Sequence, residues 1–409
     1  MFIGNAVSNF GYQLTAVAVP VQMYALTRSS LFVGLLGVAG LVPLLIFAVW
    51  GGAIADKVDR RALLLASSLL AFASTLGLLA QAVLSLASPG LLLGLVAVQA
   101  TAFAVSAPTR QAIVPRLVER GELAAANTLT STAFNAAMVA GPLAAGLLLV
   151  RYGVAAAYAV DALSFTVALW ATVRLPALPP AMDGRADGGR ADGAGAVAGG
   201  RAGGRIAGWS DVREGLAYIF TTPVLLLSFA IDIAAMVLAL PRSLFPEVAD
   251  KRFGEGSIGW LYAAIAIGSV VAGLTSGWIG RVRRQGMALV MSVVAWGLAV
   301  GLAGLAGSLW LAVLLLALGG AADMISAVYR QTILQTYAPD GFQGRLQGIF
   351  IAVVAGGPRL GDLRAGATAA LVGPTVAWVS GGLAAAVVAG LLAVIFPALL
   401  RYTPSAASR

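Results

Sequence analysis

The sequence predicts an all-α polytopic membrane protein whose helices fall into two matching sets of six. Three observations carry that prediction. Of 409 residues, 60% are hydrophobic and only 11% are charged, whereas a soluble chain is about 45–50% apolar and about 25% charged. Apolar runs of the roughly 20 residues that cross a bilayer recur twelve times. Two short motifs also reappear at a spacing near 220 residues.

The first set of runs is 1–24, 31–53, 62–87, 90–107, 123–150 and 154–173. No basic segment precedes the first run, so a signal peptide is not expected. Arg28 separates the first two runs, Lys57, Arg60 and Arg61 end the second, Arg110, Arg116 and Arg120 follow the fourth, and Arg151 divides the fifth from the sixth. Residues 174–213 are mainly Gly, Ala, Arg and Asp; they cannot bury a core and are expected to form a cytoplasmic linker. Its end, Trp209–Tyr218, reads as a short amphipathic helix on the membrane surface. The second set is 224–248, 258–280, 286–307, 309–329, 346–371 and 375–400, with Arg242, Lys251, Arg252, Arg281, Arg283, Arg284, Arg330 and Arg345 in its loops. The expected domains are therefore 1–173, the linker 174–213, a second bundle within 214–402 and a tail at 403–409.

Net charge is +9, a value that in a soluble protein would suggest nucleic acid. Here 19 of the 26 Lys and Arg fall in the loops, linker and tail on one side. That bias places both termini in the cytoplasm of a cell inner-membrane protein and leaves no call for nucleic acid. The chain has no Cys and no His, which excludes disulfides, thiolate nucleophiles, Ser-His pairs and imidazole metal ligands. No metal site and no cofactor are expected. The 50 Gly let membrane helices approach closely, since packing must replace the missing hydrophobic drive between them.

The repeat pairs Thr109-Arg110-Gln111-Ala112-Ile113-Val114 with Tyr329-Arg330-Gln331-Thr332-Ile333-Leu334, and Gly52–Arg61 with the weaker echo Gly277–Arg284. Two parallel repeats imply a pseudo-two-fold axis along the membrane normal, with a substrate cavity between the halves.

The stretch Gly52-Ala53-Ile54-Ala55-Asp56-Lys57-Val58-Asp59-Arg60-Arg61 resembles the signature loop of the major facilitator superfamily. Gly52, Asp56, Lys57, Arg60 and Arg61 match, and Asp59 stands where the family usually has Gly. The resemblance implies the MFS fold and a loop that latches one conformation; simple positive-inside anchoring is the competing reading. Gly141-Pro142 with Gly146 resembles the motif of that superfamily's proton-coupled exporters, with Ala145 replacing one Gly. Residues 17–22, 242–246, 260–265, 334–336 and 344–348 resemble the enterobactin (siderophore) exporter branch, which also holds presumed drug and macrolide exporters. The basic residue of the family's fourth span is absent; Gln99 occupies the corresponding stretch.

Charged side chains inside spans cost at least about 2.5–3.5 kcal/mol each on insertion scales, so they are functional candidates. They are Asp161, Asp232 and Asp323, with Arg359, Asp362 and Arg364 in the eleventh run. Arg359 and Asp362 share a helix face and are expected to pair. Arg364 points elsewhere and is expected to pair with Asp161, Asp232 or Asp323. Either these are structural ion pairs, or one carboxylate, Asp232 before Asp323, carries a coupling proton. Asn5, Asn9 and Gln13 share a face of the first helix; with Gln22, Gln99 and Asn135 they could line a polar cavity or serve as interhelical glue. Phe10, Tyr12 and Tyr262 are further lining candidates, and Trp209, Trp310 and Trp378 are expected at the membrane interface.

The function expected is secondary active export of a small amphipathic, siderophore-like molecule by alternating access, as a proton antiporter. The chain is expected to act as a monomer in the lipid bilayer. Multidrug or macrolide efflux is the alternative. An integral membrane enzyme ranks below both, because no acid-base cluster lies at a membrane face outside the latch; ATP-driven pumping by this chain alone is not expected, because no phosphate-binding G-x-x-x-x-G-K-[ST] loop is present.

Overall fold

The structure, a computed structural model, describes residues 2–57, 59–117, 122–174, 209–339, 342–400 and 402. Among them no strand occurs. Helices α1 (Phe2–Thr27), α2 (Ser30–Lys57), α3 (Arg60–Val83), α4 (Pro89–Leu117) and α5 (Leu123–Val173) pack on one another. After α6 (Trp209–Thr221) come α7 (Pro223–Ala239), the short α8 (Phe245–Val248), α9 (Ile258–Leu274), α10 (Gln285–Leu305), α11 (Leu309–Tyr337), α12 (Gln343–Val372) and α13 (Pro374–Ile395). Residues 175–208 of the expected linker and 403–409 of the expected tail lie outside the described residues.

Nine stretches of the described residues are long and apolar enough to cross a membrane. Helices α1 and α12 are not among them; the first carries Asn5, Asn9, Gln13 and Gln22, the second Arg359, Asp362 and Arg364. Helix α5 is 51 residues long, about 75 Å at 1.5 Å per residue and more than twice what a bilayer needs. Gly153 takes φ 74° and ψ −178°, a conformation open essentially to glycine alone, and folds α5 into two arms. The first arm meets α1 where Gly141 touches Gln13. The second runs back along α1, joining Tyr158 to Gln22 and Asp161 to Thr15.

Several helices end differently from the sequence expectation, each for a local reason. The run 224–248 breaks at Ala239, because Pro241 holds Leu240 extended (φ −70°, ψ 118°) and withholds an N–H from the ladder. The run 258–280 is α-helical only to Leu274 and continues as a 3₁₀ turn, Ser276–Arg281. Helices α4 and α11 instead extend well past their apolar runs, to Leu117 and Tyr337.

Asp59, the departure from the family loop, is the N-cap of α3: its carboxylate accepts from the Ala62 N–H at 3.0 Å. Asp59→Ala is expected to cost about 1 kcal/mol, measurable as a lowered unfolding temperature in detergent. Trp378 corrects another expectation. It is buried against Phe245 and Gly304 instead of lying at an interface, because α13 turns that face toward α10. Trp310 is exposed and meets Trp260 edge-to-face.

Candidate transport site

The two sets of helices touch mainly at the end that carries the α1–α2 turn, Arg28–Ser29. There α2 crosses α12, and the first arm of α5 crosses α9. Both crossings depend on glycine. A Cβ on Gly34 would sit 2.6 Å from the Asp362 carbonyl, and one on Gly259 would sit 2.6 Å from the Pro142 carbonyl. Gly146 and Gly259 face each other, so the exporter-like motif Gly141-Pro142…Gly146 lies on the seam between the halves and also against Gln13 of α1. Polar contacts complete this end: Arg28 to Asp250 at 3.0 Å, Lys251 to Glu247 at 2.8 Å, and a hydrogen bond from Ser30 to the buried Glu247.

Three cavities overlap in their walls, the first and third lying toward the other end and the second against the seam. The first, about 520 Å³, opens between α1, α3, α4 and α5, with Asn5, Asn9, Gln13 and Gln99 in its wall. The second, about 170 Å³, sits between the halves; Gln13 and Met138 join it to the first, and Arg242, Tyr262 and Asp362 line its far side. The third, about 610 Å³, lies in the second half and shares Arg242 with the second. Asp232, Asp323 and Arg330 line it.

Arg330 is the decisive group. Sequence counts it among loop anchors, but α11 carries it inward until it is only 5% exposed. It forms an ion pair with Asp232, and its Nη2 lies 3.6 Å from Asp323 Oδ1. Asp323 and Arg330 are seven residues apart, two helical turns on one face, a spacing that together with the repeat motif at Arg330 could have flagged the pair.

Arg364 does not pair with any of the three aspartates. Its guanidinium donates to the carbonyls of Val237 (3.1 Å), Leu238 and Ala377 (3.4 Å), capping the C-terminus of α7, where free carbonyls and the helix dipole favour a cation. The expected Arg359–Asp362 pair is also absent: Arg359 donates to the Ala355 carbonyl at 2.6 Å, and no ion pair joins it to Asp362 among the described residues. Asp362 keeps a buried Oδ1 without a hydrogen-bond partner and faces Arg242 across the small cavity.

Asp161 is fully buried and accepts from Thr15 at 2.6 Å and from Thr75 and Ser164 at 3.3 Å. Those hydroxyls belong to α1, α3 and α5, so Asp161 ties three helices together, and it lines none of the cavities described. Gln22 accepts from the Tyr158 hydroxyl at 2.7 Å and likewise serves helix packing. Asn135 lies on an exposed face of α5 and is not among the lining residues. Tyr12 lines the first cavity and Tyr262 the second.

In the latch, Gly52, Asp56 and Lys57 fall on the last turns of α2, not in a loop, and their side chains, with that of Arg60, lie outside the described residues. Arg61 donates to the Val173 carbonyl at 2.7 Å and so caps the end of α5.

Comparison with known proteins agrees with the helical fold. A family model described as transmembrane secretion effector, of the major facilitator type, matches residues 1–407. The chain belongs to that family of major facilitator transporters. Relatives named Enterobactin exporter EntS, from Shigella boydii serotype 4 (strain Sb227) and Escherichia coli O81 (strain ED1a), are 30% identical over 98% of this chain and 92% of their own. Among solved structures, the nucleoside transporter NupG has a TM-score of 0.71 at 14% identity, covering 98% of both chains. A POT family transporter in complex with a thioalcohol-conjugated peptide gives 0.72 at 12%, covering 98% of this chain and 96% of its own. Those two likenesses concern the fold.

Proposed function

We propose that this transporter exports a small amphipathic, siderophore-like molecule across the cytoplasmic membrane in exchange for protons, at the cluster Asp232–Arg330–Asp323. The observation that carries the reading is that cluster: two carboxylates and one guanidinium lining a cavity, with Asp232 and Arg330 buried and Asp323 half-buried. A carboxylate that takes up a proton loses its attraction to Arg330, so proton binding and helix packing are linked. Asp161 is held by three hydroxyls away from the cavities, which ranks it below Asp232 and Asp323 as a proton carrier. In this reading α1, α12 and both arms of α5 cross the membrane too, giving twelve spans in two six-helix domains. With the basic loops in the cytoplasm, the sealed Arg28–Glu247 end faces outward and the cavities open inward, ready to load cargo for export. The chain works as a monomer and carries out no covalent chemistry.

The test uses proteoliposomes with an imposed pH gradient and a catechol siderophore as cargo. Asp232→Asn and Asp323→Asn are each expected to lower gradient-driven accumulation at least tenfold while cargo–cargo exchange persists. If both variants still concentrate cargo, proton coupling does not run through this cluster. Unchanged siderophore secretion from an iron-starved deletion strain, with raised drug sensitivity, would favour multidrug or macrolide efflux.

A further inference from the structure

We infer that the 520 Å³ cavity of the first half is a cargo site selective for uncharged aromatic molecules that carry hydrogen-bond acceptors. The inference rests on the transport reading above but concerns binding alone. No Lys, Arg, Asp or Glu is among the described residues of its wall; Arg242 and Asp362 line the far side of the small cavity joined to it, and the Asp232–Arg330–Asp323 cluster lies in the other half.

The wall has two parts. One is aromatic: Tyr12 and Phe103 stack with centroids 6.3 Å apart and 16° between planes, with Phe134 and Phe165 nearby in the wall. Rings favour stacked or edge contacts with another ring and give large apolar area without charge. The other part is neutral and polar, and Gln99 is its most telling member. Gln99 is 9% exposed, and its buried Nε2 has no hydrogen-bond partner. A buried donor without a partner costs about 1–3 kcal/mol, a cost removed when the Gln99 side chain, which lines the cavity, turns its amide toward a ligand acceptor.

The absence of charge sets the selectivity. An anionic ligand entering this wall would lose hydration without gaining a counter-ion in it, whereas a neutral amide or phenol loses far less and recovers it through hydrogen bonds to the polar side chains. Sites built from neutral amides and rings therefore admit the uncharged form of a molecule and disfavour its ionised form. For a cargo with acidic groups, the protonated form would be loaded.

Equilibrium binding to purified protein in nanodiscs tests this without any gradient, read by fluorescence anisotropy. The probes are methoxycoumarin carboxamide and methoxycoumarin carboxylate, which share one ring system and differ by one charge. The amide is expected to bind at least tenfold more tightly, after subtraction of empty nanodiscs. Gln99→Leu should weaken amide binding three- to tenfold, and Phe103→Leu should weaken it independently. Gln99→Arg should reduce or reverse the preference by giving the carboxylate a counter-ion. Thermal unfolding confirms that each variant is folded. Equal binding of both probes, no saturable binding of either, or amide affinity unmoved by both Gln99→Leu and Phe103→Leu would overturn the assignment. Failure of pH-driven transport with this pattern intact would strike the coupling proposal alone.

Discussion

Arg330→Leu is expected to destabilise the second half strongly, lowering stability by about 3–5 kcal/mol. Its guanidinium is the only basic group within ion-pair distance of Asp232 and Asp323 among the described residues. Removing it leaves the buried Asp232 without an ion-pair partner and the half-buried Asp323 with only the more distant Arg242 of the same cavity. Arg330→Lys keeps the charge but replaces a planar fork by a single ammonium, which cannot hold both carboxylates with the same geometry; an intermediate loss is expected. Asp232→Asn should be milder than Arg330→Leu, since Arg330 retains Asp323 at 3.6 Å. The double variant Arg330→Leu/Asp232→Leu should recover part of the stability, because replacing a buried pair by apolar residues is often neutral or stabilising. Unfolding temperatures in detergent would show this order. If Arg330→Leu is as stable as the parent protein, the cluster does not hold these helices together.

The same cluster marks where sequence reading stops. A window of about 20 apolar residues ends the tenth span at residue 329 and turns Arg330 into a loop anchor. The helix in fact runs on to Tyr337, so the base is carried onto a face packed against α7. Hydropathy reports where apolar residues end, not where a helix does. Arg364 was illegible for another reason: its partners are the carbonyls of Val237, Leu238 and Ala377, and backbone acceptors leave no letter in a sequence. The polar face of α1 was readable because Asn5, Asn9 and Gln13 recur at four-residue spacing, and all three do line the first cavity. Gln22 continues the polar character of that helix but lies beyond the cavity, where Tyr158 takes it. The Gly-Pro motif of α5 was visible as small residues; its place on the seam against Gly259 needed the other half of the fold.

That seam supplies the second large effect. Gly146→Val is expected to open the Arg28–Glu247 end and shift the protein toward its opposite state. A Cβ on Gly146 would lie 2.8 Å from the Gly259 Cα and backbone N, and backbone atoms cannot rotate out of the way as a side chain can. Overpacking of this kind costs about 1–3 kcal/mol, and the cost falls only on the state in which the two helices touch. A difference of about 1.4 kcal/mol is tenfold in a population, so a shift of five- to over a hundredfold is expected. Glu247→Gln should do much less, because its Lys251 partner is largely exposed and such pairs contribute about 0–1 kcal/mol. The absence of native cysteine makes the measurement direct. Val21→Cys places a thiol on a cavity of about 220 Å³ behind the Arg28–Asp250 pair, and a membrane-impermeant maleimide should label it at least fivefold faster when Gly146→Val is added. A second reporter, Ala312→Cys, at a fully buried site of α11, should stay unlabelled in both backgrounds, which separates opening from unfolding. Equal labelling of Val21→Cys with and without Gly146→Val would mean that the α5–α9 crossing is not what holds this end shut.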